Sequence, residues 1–274
     1  MKKKFRLILI IAICFTVFIS AVLGALFIGG NMLVRTDYSL QSDKLDGLVI
    51  AHLSDIHCSV RGENNKQILD LVQETEPHLI MVTGDTVDEI RGRHADMVTL
   101  LEDLARIAPV VCILGNHETH YPRLDVFLQD VEAVSNKNHK IYMLIDEFVS
   151  FDTPAGKVTI LGNGAHSSNR TATLEQLRDS DGYRILLNHY PEDFCLRMQY
   201  HQYCDLMLAG HAHGGQWRIP GTDISLYSPG EGFFPKYTAG VHTVDDSHMV
   251  ISRGIGTWAP RLFNPPEVIA ITVE

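Results

Sequence analysis

The sequence predicts a mixed α/β fold built around parallel strands, and two patterns indicate it. Between residues 48 and 134, strongly apolar runs alternate with segments of helical periodicity, which is typical of parallel strands covered by helices. After Lys140, short alternating segments flank turns such as Pro154-Ala155-Gly156, which favours antiparallel strands. No internal repeat or linker divides this part of the sequence, so we expect one domain, residues 47–274.

The N-terminus predicts a membrane anchor over residues 1–30. The basic segment Lys2–Arg6 precedes an uncharged apolar run of 24 residues, Leu7–Gly30. As a helix this run would span about 36 Å, enough to cross a hydrocarbon core of about 30 Å. A cleaved signal peptide is the alternative, but its apolar stretch is usually about 7–15 residues long and ends in a small-x-small site. We expect a single-pass protein of the cell membrane, with its basic end in the cytoplasm and its catalytic domain extracytoplasmic.

The elements that follow the anchor can be assigned in order. Residues 31–46 form a polar connector, in which Val34–Leu40 has the pattern of a short strand. Apolar runs and helical periodicity then predict the first half of the domain. Its segments are strand 48–54, helix 64–75, strand 78–83, helix 94–107, strand 110–114 and helix 123–134. In the second half we expect short antiparallel strands at 141–144, 148–152 and 157–161, then buried strands at 184–188, 206–209, 249–252 and 268–273.

Charge and cysteine content exclude several function classes. The formal net charge is −10, and without the four N-terminal cations 19 basic residues oppose 33 acidic ones, a balance of −14. We therefore expect no nucleic-acid partner, because such binding requires clustered Lys and Arg. Five cysteines without a C-x-x-C pair argue against a zinc ribbon. The spacing of Cys195 and Cys204 is compatible with a disulfide in an exported domain or with two free thiols.

Metal-ligating side chains follow five of the predicted strands. The segments are Asp55-Ile56-His57, Gly84-Asp85-Thr86-Val87-Asp88, Gly115-Asn116-His117-Glu118, Asn188-His189 and Gly210-His211-Ala212-His213. Open α/β sheets bind ligands at the carboxyl ends of their strands, so these side chains are expected to converge. Imidazole together with carboxylate favours Mn, Fe or Zn over Ca or Mg. The sequence thus predicts two divalent metal ions per chain, with Asp85 as a bridging ligand.

Two divalent ions are suited to the displacement of a phosphoryl group. Such a pair lowers the pKa of a bridging water enough to give hydroxide near neutral pH, and it stabilises the oxygens of an in-line phosphoryl displacement. The cations also make an acidic domain compatible with an anionic substrate, because they reverse the local field.

The series D-x-H, G-D-x-x-D, G-N-H-E, N-H and G-H-x-H resembles the calcineurin-like metallophosphoesterase family, in the same order and over about residues 47–274. The resemblance implies a two-sheet αββα sandwich. It implies one metal site formed by Asp55, His57, Asp85 and His213, and a second formed by Asp85, Asn116, His189 and His211. His117 matches the histidine of the family that contacts phosphate or protonates the leaving oxygen, which is a general-acid role.

Later segments narrow the resemblance. Gly210–Gln216, Ser252–Gly256 and Pro265-Pro266-Glu267 are similar to bacterial membrane-anchored phosphodiesterases, a group that includes relatives acting on the pyrophosphate of UDP-diacylglucosamine. This implies a hydrolase of a phosphodiester or pyrophosphate at the membrane bilayer, with a lipid-linked substrate as one candidate. The alternative is a catalytically idle, metal-dependent binding or scaffold protein, which a degenerate ligand set would have favoured.

Five further features have two interpretations each. Asp88 either orients a metal ligand or caps the segment that follows it. Glu118 either fixes His117 or has no part in the site. Arg261 either binds a phosphate oxygen or packs. Cys58 is either a redox-sensitive thiol or, as we prefer, a small buried filler. The segment Trp217–Tyr237 faces either the bilayer or an acyl chain, or else covers the sheet.

Overall fold

Two six-stranded sheets stacked face to face form the centre of the molecule. The structure is a computed structural model that describes residues 2–90, 92–138, 140–163, 170–256 and 259–274. In the first half the elements are α1 (Lys2–Asn31), β1 (Val34–Leu40), β2 (Leu48–Leu53), α2 (Lys66–Gln73), β3 (Leu79–Thr83), α3 (His94–Ile107), β4 (Val110–Ile113), α4 (Asn116–His120), α5 (Leu124–Asn138) and β5 (Ile141–Met143). In the second half they are β6 (Glu147–Thr153), β7 (Gly156–Gly162), α6 (Arg170–Arg178), β8 (Tyr183–Leu187), β9 (Leu206–Ala209), β10 (Tyr227–Ser228), β11 (Gly232–Phe233), β12 (Gly240–Val244), β13 (Ser247–Ile251) and β14 (Glu267–Val273).

The first sheet has the strand order β1-β14-β2-β3-β4-β5. Strands β2 to β5 run parallel to one another, as the alternation of strands and helices predicts for most of them. The prediction that residues 141–144 form an antiparallel strand is wrong, because β5 pairs in parallel with β4. Helix α5 lies between these two strands and supplies the crossover that parallel pairing requires.

The second sheet has the order β12-β13-β9-β8-β7-β6. Its edges are antiparallel, with β6 against β7 and β12 against β13. The four strands between, β7, β8, β9 and β13, are parallel. Each sheet therefore has a set of parallel strands whose carboxyl ends lie at one edge, where loops can carry converging side chains.

Three apolar clusters hold the layers together. Between the sheets, residues such as Ile50 and Leu208 are fully buried, and each contributes about 1.5–3 kcal/mol by leaving water. The outer face of the first sheet packs against α2, α3 and α5. The outer face of the second sheet packs against α6 and the segment around Phe194 and Tyr200. The result is a mixed α/β fold with an αββα layer order, as predicted.

Helix α1 stands apart from these layers. By length and composition, Lys3–Asn31 is a candidate membrane span, and none of its most apolar window is buried in the protein. Only Met32 and Leu33 separate α1 from β1. Strand β1 pairs in parallel with β14, and the Val34 N–H donates to the Pro266 carbonyl at 3.0 Å. The end of the helix is thus joined to the edge of the first sheet by two residues.

Candidate metal centre

The loops at the carboxyl ends of five strands bring the predicted site residues together. Asp55 and His57 follow β2, Asp85 follows β3 and Asn116 follows β4. From the second sheet, His189 follows β8, and His211 and His213 follow β9. These side chains form adjoining groups with His117 at the shared edge of the two sheets. The geometry is what two mostly parallel sheets with aligned carboxyl ends produce.

One group consists of Asp55, His57 and His213, which are all buried. The Nε2 atoms of His57 and His213 lie 3.2 Å apart. The distance from His213 Nε2 to Asp55 Oδ1 is 3.4 Å, and the distance from His57 Nε2 to the same oxygen is 3.9 Å. The Nδ1 atom of His213 is buried without a hydrogen-bond partner among the described residues.

The second group consists of Asp85, His189 and His211, and Asn116 adjoins it. His189 Nε2 lies 3.1 Å from Asp85 Oδ2 and 3.1 Å from Asn116 Oδ1. Asp85 Oδ2 is also 3.8 Å from His57 Nε2, which belongs to the first group. One carboxylate oxygen therefore faces both groups, as a ligand shared by two cations must.

These distances test whether the residues fit the cations that the chemistry implies. Nitrogen and oxygen ligands lie about 2.0–2.2 Å from zinc, so two ligands of one ion are separated by about 3.0–3.5 Å. The separations of 3.1, 3.1, 3.2 and 3.4 Å match this range, whereas the distances from His57 Nε2 to Asp55 and Asp85, 3.9 and 3.8 Å, are longer. His57 and His213 direct their Nε2 atoms toward each other beside a buried carboxylate, where a cation would bind all three groups. The residues fit two divalent cations.

Protonation states agree with this fit. Burial lowers the pKa of His57 to about 4 and that of His211 to about 3, so both rings are neutral, the form in which histidine binds metals. Burial would also lower the pKa of His189, but the adjacent Asp85 outweighs it and raises that pKa to about 10. A cation next to Asp85 would take the place of that proton.

The backbone at the ligands is strained. Five of them have positive φ angles: 50° at Asp55, 50° at His57, 52° at Asp85, 66° at His211 and 48° at His213. A non-glycine residue in this region costs about 1–3 kcal/mol, and such residues cluster at functional sites. Backbone hydrogen bonds between loops hold the conformations, for example from Asp55 N–H to the Gly84 carbonyl at 3.0 Å and from His57 N–H to the Asp85 carbonyl at 2.8 Å.

Glu118 supports these loops in a way that differs from the sequence analysis. Its buried carboxylate accepts the backbone N–H groups of Asp85 at 2.8 Å, Val87 at 2.9 Å and Gly115 at 2.8 Å. Burial, with the nearby Asp85, raises the pKa of Glu118 to about 7. Glu118 therefore fixes the loops after β3 and β4, whereas its position in the sequence predicted only a contact with His117.

His117 lies beside both groups, with its ring centroid 4.7 Å from that of His57. Its Nδ1 hydrogen bonds to Glu89 Oε2 at 2.9 Å, which leaves Nε2 as the ring nitrogen that can exchange a proton with a ligand. Burial lowers the pKa of His117, but Asp85 and Glu89 outweigh it and the net shift is upward. Sequence reasoning missed Glu89, whose only signal was its place directly after the G-D-x-x-D segment.

One side of the site is open. Asn116, His117 and His211 are partly exposed, whereas Asp55, His57, Asp85, His189 and His213 are buried. A substrate can therefore reach the cluster from the side of His117 and His211.

The remaining candidates have structural contacts. Asp88 accepts the Ile90 N–H at 3.0 Å and lies 3.9 Å from His57 Nδ1, so it has both predicted contacts. Arg261 is fully buried and donates to the carbonyls of Arg253, Gly254 and Gly256, which is a packing role. Cys58 is buried, and Cys195 and Cys204 are free thiols.

Comparisons with known proteins agree with this geometry. Residues 48–215 match the calcineurin-like phosphoesterase family model. The uncharacterized metallophosphoesterase YkoQ of Bacillus subtilis is 30% identical over 243 residues, which cover 84% of this chain and 87% of YkoQ. The phosphodiesterase YaeI of Escherichia coli is 26% identical over 245 residues, which cover 86% of each chain.

A solved structure shares the fold. TT1561 of Thermus thermophilus superposes with a TM-score of 0.52 at 13% sequence identity, over 76% of this chain and 90% of that one. The family model spans more than half of the chain and every predicted ligand. The chain therefore belongs to the calcineurin-like phosphoesterase family, whose members use a dinuclear divalent metal centre, and it is a metal-dependent phosphoric ester hydrolase.

Proposed function

We propose that this chain is a membrane-anchored hydrolase of a phosphodiester or pyrophosphate, for which lipid-linked, nucleotide and cell-wall phosphodiesters are the candidate substrates. The observation that carries the proposal is the position of Asp85 Oδ2, which lies 3.1 Å from His189 Nε2 and 3.8 Å from His57 Nε2. A shared carboxylate between two imidazole-rich groups is suited to two cations and not to one. The similar Escherichia coli protein YaeI is named a phosphodiesterase, which supports a phosphodiester as the substrate of this chain.

The residues have separate roles in this proposal. Asp55, His57, Asp85 and His213 hold one cation, and Asp85, Asn116, His189 and His211 hold the other. The donor set favours Mn, Fe or Zn. When bound, two such ions polarise the phosphoryl group, offset its negative charge and lower the pKa of water.

His117 handles the proton of the leaving group. Glu89 holds its Nδ1 at 2.9 Å, which orients the ring and stabilises the protonated form. The upward pKa shift of His117 keeps a proton available near neutral pH. His117 therefore donates from Nε2 to the leaving oxygen, at the side of the site that is open to substrate.

Helix α1 provides the anchor in this proposal. Its apolar run is long enough to span a bilayer. The most apolar part of this run is not buried against the rest of the described protein. The lysines and arginine at its start favour a cytoplasmic N-terminus and an extracytoplasmic catalytic domain. Resistance of the full-length chain to alkaline carbonate extraction from membranes tests the anchor, and release into the supernatant would contradict it.

The catalytic claim is tested with bis-p-nitrophenyl phosphate and full-length protein loaded with Mn or Zn. Asp85→Ala removes the shared ligand, so we expect it to lower both metal content and turnover. Removing a residue that only orients a ligand typically lowers metal affinity or activity about 10–100-fold. The loss in Asp85→Ala should be larger, because Asp85 is itself a ligand. Asp70→Ala, at an exposed ion pair on α2, is the matched control and should behave as wild type.

Two results would overturn the proposal. Near-wild-type turnover of Asp85→Ala with two bound metals would refute the bridging role. No turnover by the metal-loaded wild type, under conditions in which the Escherichia coli relative turns over, would favour the binding or scaffold alternative.

A further inference from the structure

A β-hairpin next to the metal centre has one polar and one apolar face. Arg218 bridges to Ser225 in antiparallel fashion, the Ile219 N–H donates to the Ile224 carbonyl at 3.0 Å, and the Leu226 N–H donates to the Trp217 carbonyl at 2.9 Å. Directly opposed residues share a face and successive residues alternate. Arg218 and Ser225 therefore lie on one face, and Trp217, Ile219, Ile224 and Leu226 lie on the other.

The polar face rests on the loop that carries His211 and His213. Arg218 Nη1 donates to the Gly214 carbonyl at 3.0 Å. Ser225 is buried against Gly215, which has a φ of 72°. The contact is so close that a Cβ on Gly215 would lie 2.3 Å from the serine side chain. Consequently the hairpin lies between the metal-ligand loop and the surface of the protein.

The apolar face is exposed. Trp217 is 46% exposed, Ile219 52% and Ile224 50%. Phe233 and Phe234, each 72% exposed, adjoin it, because the Phe234 N–H donates to the Leu226 carbonyl at 3.0 Å. We call the hairpin face together with these two phenylalanines the apolar surface. A contiguous surface of this kind is typical of an interaction site.

The apolar surface is continuous with the end of α1. Trp217 pairs in parallel with Leu262. The next residue, Phe263, is half exposed and lines an apolar cavity of about 400 Å³ whose other wall is α1, from Ala21 to Met32. Gly29 of α1 packs so tightly here that a Cβ on it would lie 2.7 Å from the Arg261 carbonyl oxygen. Arg61 Nη1 also donates to the Gly30 carbonyl at 3.2 Å.

We propose that the apolar surface docks into the outer leaflet of the bilayer that α1 crosses. This rests on the membrane anchoring in the proposed function. Only two residues join α1 to β1, and two residues span at most about 7 Å, so the start of β1 lies at the membrane surface. Trp217 pairs with Leu262, which directly precedes Phe263 at the cavity shared with α1, so Trp217 also lies close to the membrane surface. Tryptophan is enriched at such interfaces, where apolar faces insert about 5–10 Å into the boundary between headgroups and acyl chains.

Docking also narrows the substrate class. The hairpin separates the bilayer from the loop of His211 and His213 by a single layer of backbone. Docking therefore holds the metal centre close to the headgroup region of the leaflet. The substrate class that this placement favours is an amphipathic phosphoester whose acyl chains stay in the leaflet during hydrolysis.

The test uses the full-length chain in vesicles, with Trp258→Phe so that Trp217 is the only tryptophan. Vesicles of phosphatidylcholine brominated near the headgroup end of the acyl chains are compared with unbrominated vesicles. We expect loss of Trp217 emission in the brominated vesicles, with weaker loss when bromine is near the chain terminus. Equal emission in all vesicles would overturn the proposal.

Two variants in this background separate docking from other effects. Ile219→Asp combined with Ile224→Asp should abolish the quenching, since charge opposes insertion. Ile145→Asp is the control, because Ile145 is also exposed but follows β5 at the opposite edge of the first sheet from β1. It should keep the quenching. Unchanged metal content shows that each variant is folded.

The quenching readout is independent of catalysis, and anchoring by α1 is measured separately. Co-sedimentation with vesicles reports α1, and turnover of bis-p-nitrophenyl phosphate reports the metal centre, so failure of the proposed function is recognised separately. If the apolar surface instead binds a second copy, Trp217 will be insensitive to bromine and its emission maximum will depend on protein-to-lipid ratio. That outcome overturns membrane docking.

Discussion

His189 and Asp85 each use one atom for a contact within the protein and leave another for a cation. His189 places Nδ1 2.8 Å from the Thr83 carbonyl, so its N–H is fixed there and Nε2 faces Asp85. Asp85 accepts the His117 N–H at 2.8 Å through Oδ1, which leaves Oδ2 for the ions. Partners of this kind set the tautomer and orientation of ligands. They cannot be identified from sequence, because they are backbone groups of other elements, here β3 and α4.

At the residue scale, His117→Ala tests the general acid. We expect the variant to keep its metals and to lose about 10²–10⁴-fold in rate, because a positioned acid contributes that much. The loss should grow as the leaving group becomes a poorer one, which is measured with a series of aryl and alkyl phosphodiesters. Imidazole in the buffer should restore part of the rate. Equal losses across the series would argue against proton donation.

Glu118→Gln tests the support of the loops. An amide offers one acceptor oxygen in place of two, so at least one of the three backbone N–H groups now bound by Glu118 loses its partner. A buried unpaired group costs about 1–3 kcal/mol, and urea unfolding should show that loss. Metal affinity should fall as well, since Asp85 is displaced. Glu132→Gln, exposed on α5, is the control, and equal stability of the two variants would contradict the role.

At the element scale, partly buried ion pairs connect loops to strands at the opposite end of the sheets. Asp205, just before β9, accepts the backbone N–H of Arg184 at 2.9 Å and its Nε at 3.0 Å. Lys44, from the segment before β2, donates to the same carboxylate at 2.8 Å. Bidentate contacts with arginine are among the stronger hydrogen bonds. The sequence predicted the two strands, but the partner of Arg184 depends on their parallel register, which periodicity does not specify.

Asp205→Asn should destabilise the fold in a pH-dependent way. Burial raises the pKa of Asp205, but hydrogen bonds from Arg184 and Lys44 outweigh it and lower that pKa below its ordinary value. Because the pKa is lower in the folded state, the stabilisation is present above about pH 4 and is lost as pH falls further. We expect a difference in unfolding free energy of about 1–3 kcal/mol at pH 7, measured by urea unfolding.

The same difference should shrink as the pH falls below about 4, and it should reach zero only below the lowered pKa of folded Asp205, where the wild-type carboxyl is protonated and resembles the amide. Asp179→Asn breaks an exposed pair with Arg178 and is the matched control, for which no measurable change is expected. A difference for Asp205→Asn that stays constant from pH 7 to pH 3 would show that the carboxylate charge is not the source of the stability.

At the scale of the whole molecule, the predicted strands, helices and ligand motifs come together because both sheets are parallel at their centres. Apolar periodicity identified helix α3 with the bounds seen in the structure, and strand ends marked every loop of the site. Apolar periodicity did not identify the pairing of β1 with β14, because these strands are far apart in sequence. It also did not identify the pairing of β4 with β5, because a helix separates them. The sequence also did not indicate Glu89, or the backbone N–H groups that Glu118 binds, because these contacts join separate loops.

The arrangement of ligands leads to a prediction about the stability of the whole fold. Asp55, Asp85 and Asn116 come from the first sheet, whereas His189, His211 and His213 come from the second. Bound cations would therefore cross-link the two sheets and also offset the repulsion between two buried carboxylates.

We expect a chelator to lower the unfolding free energy, and metal at about 100 times its dissociation constant to restore about 2.7 kcal/mol. Urea unfolding with and without the chelator measures this difference, and hydrogen exchange should rise in the loops after β2, β3 and β9 together. In Asp85→Ala the chelator should have little further effect, because the shared ligand is already gone. Equal stability of the chelated and metal-loaded wild type would show that the cations do not hold the sheets together.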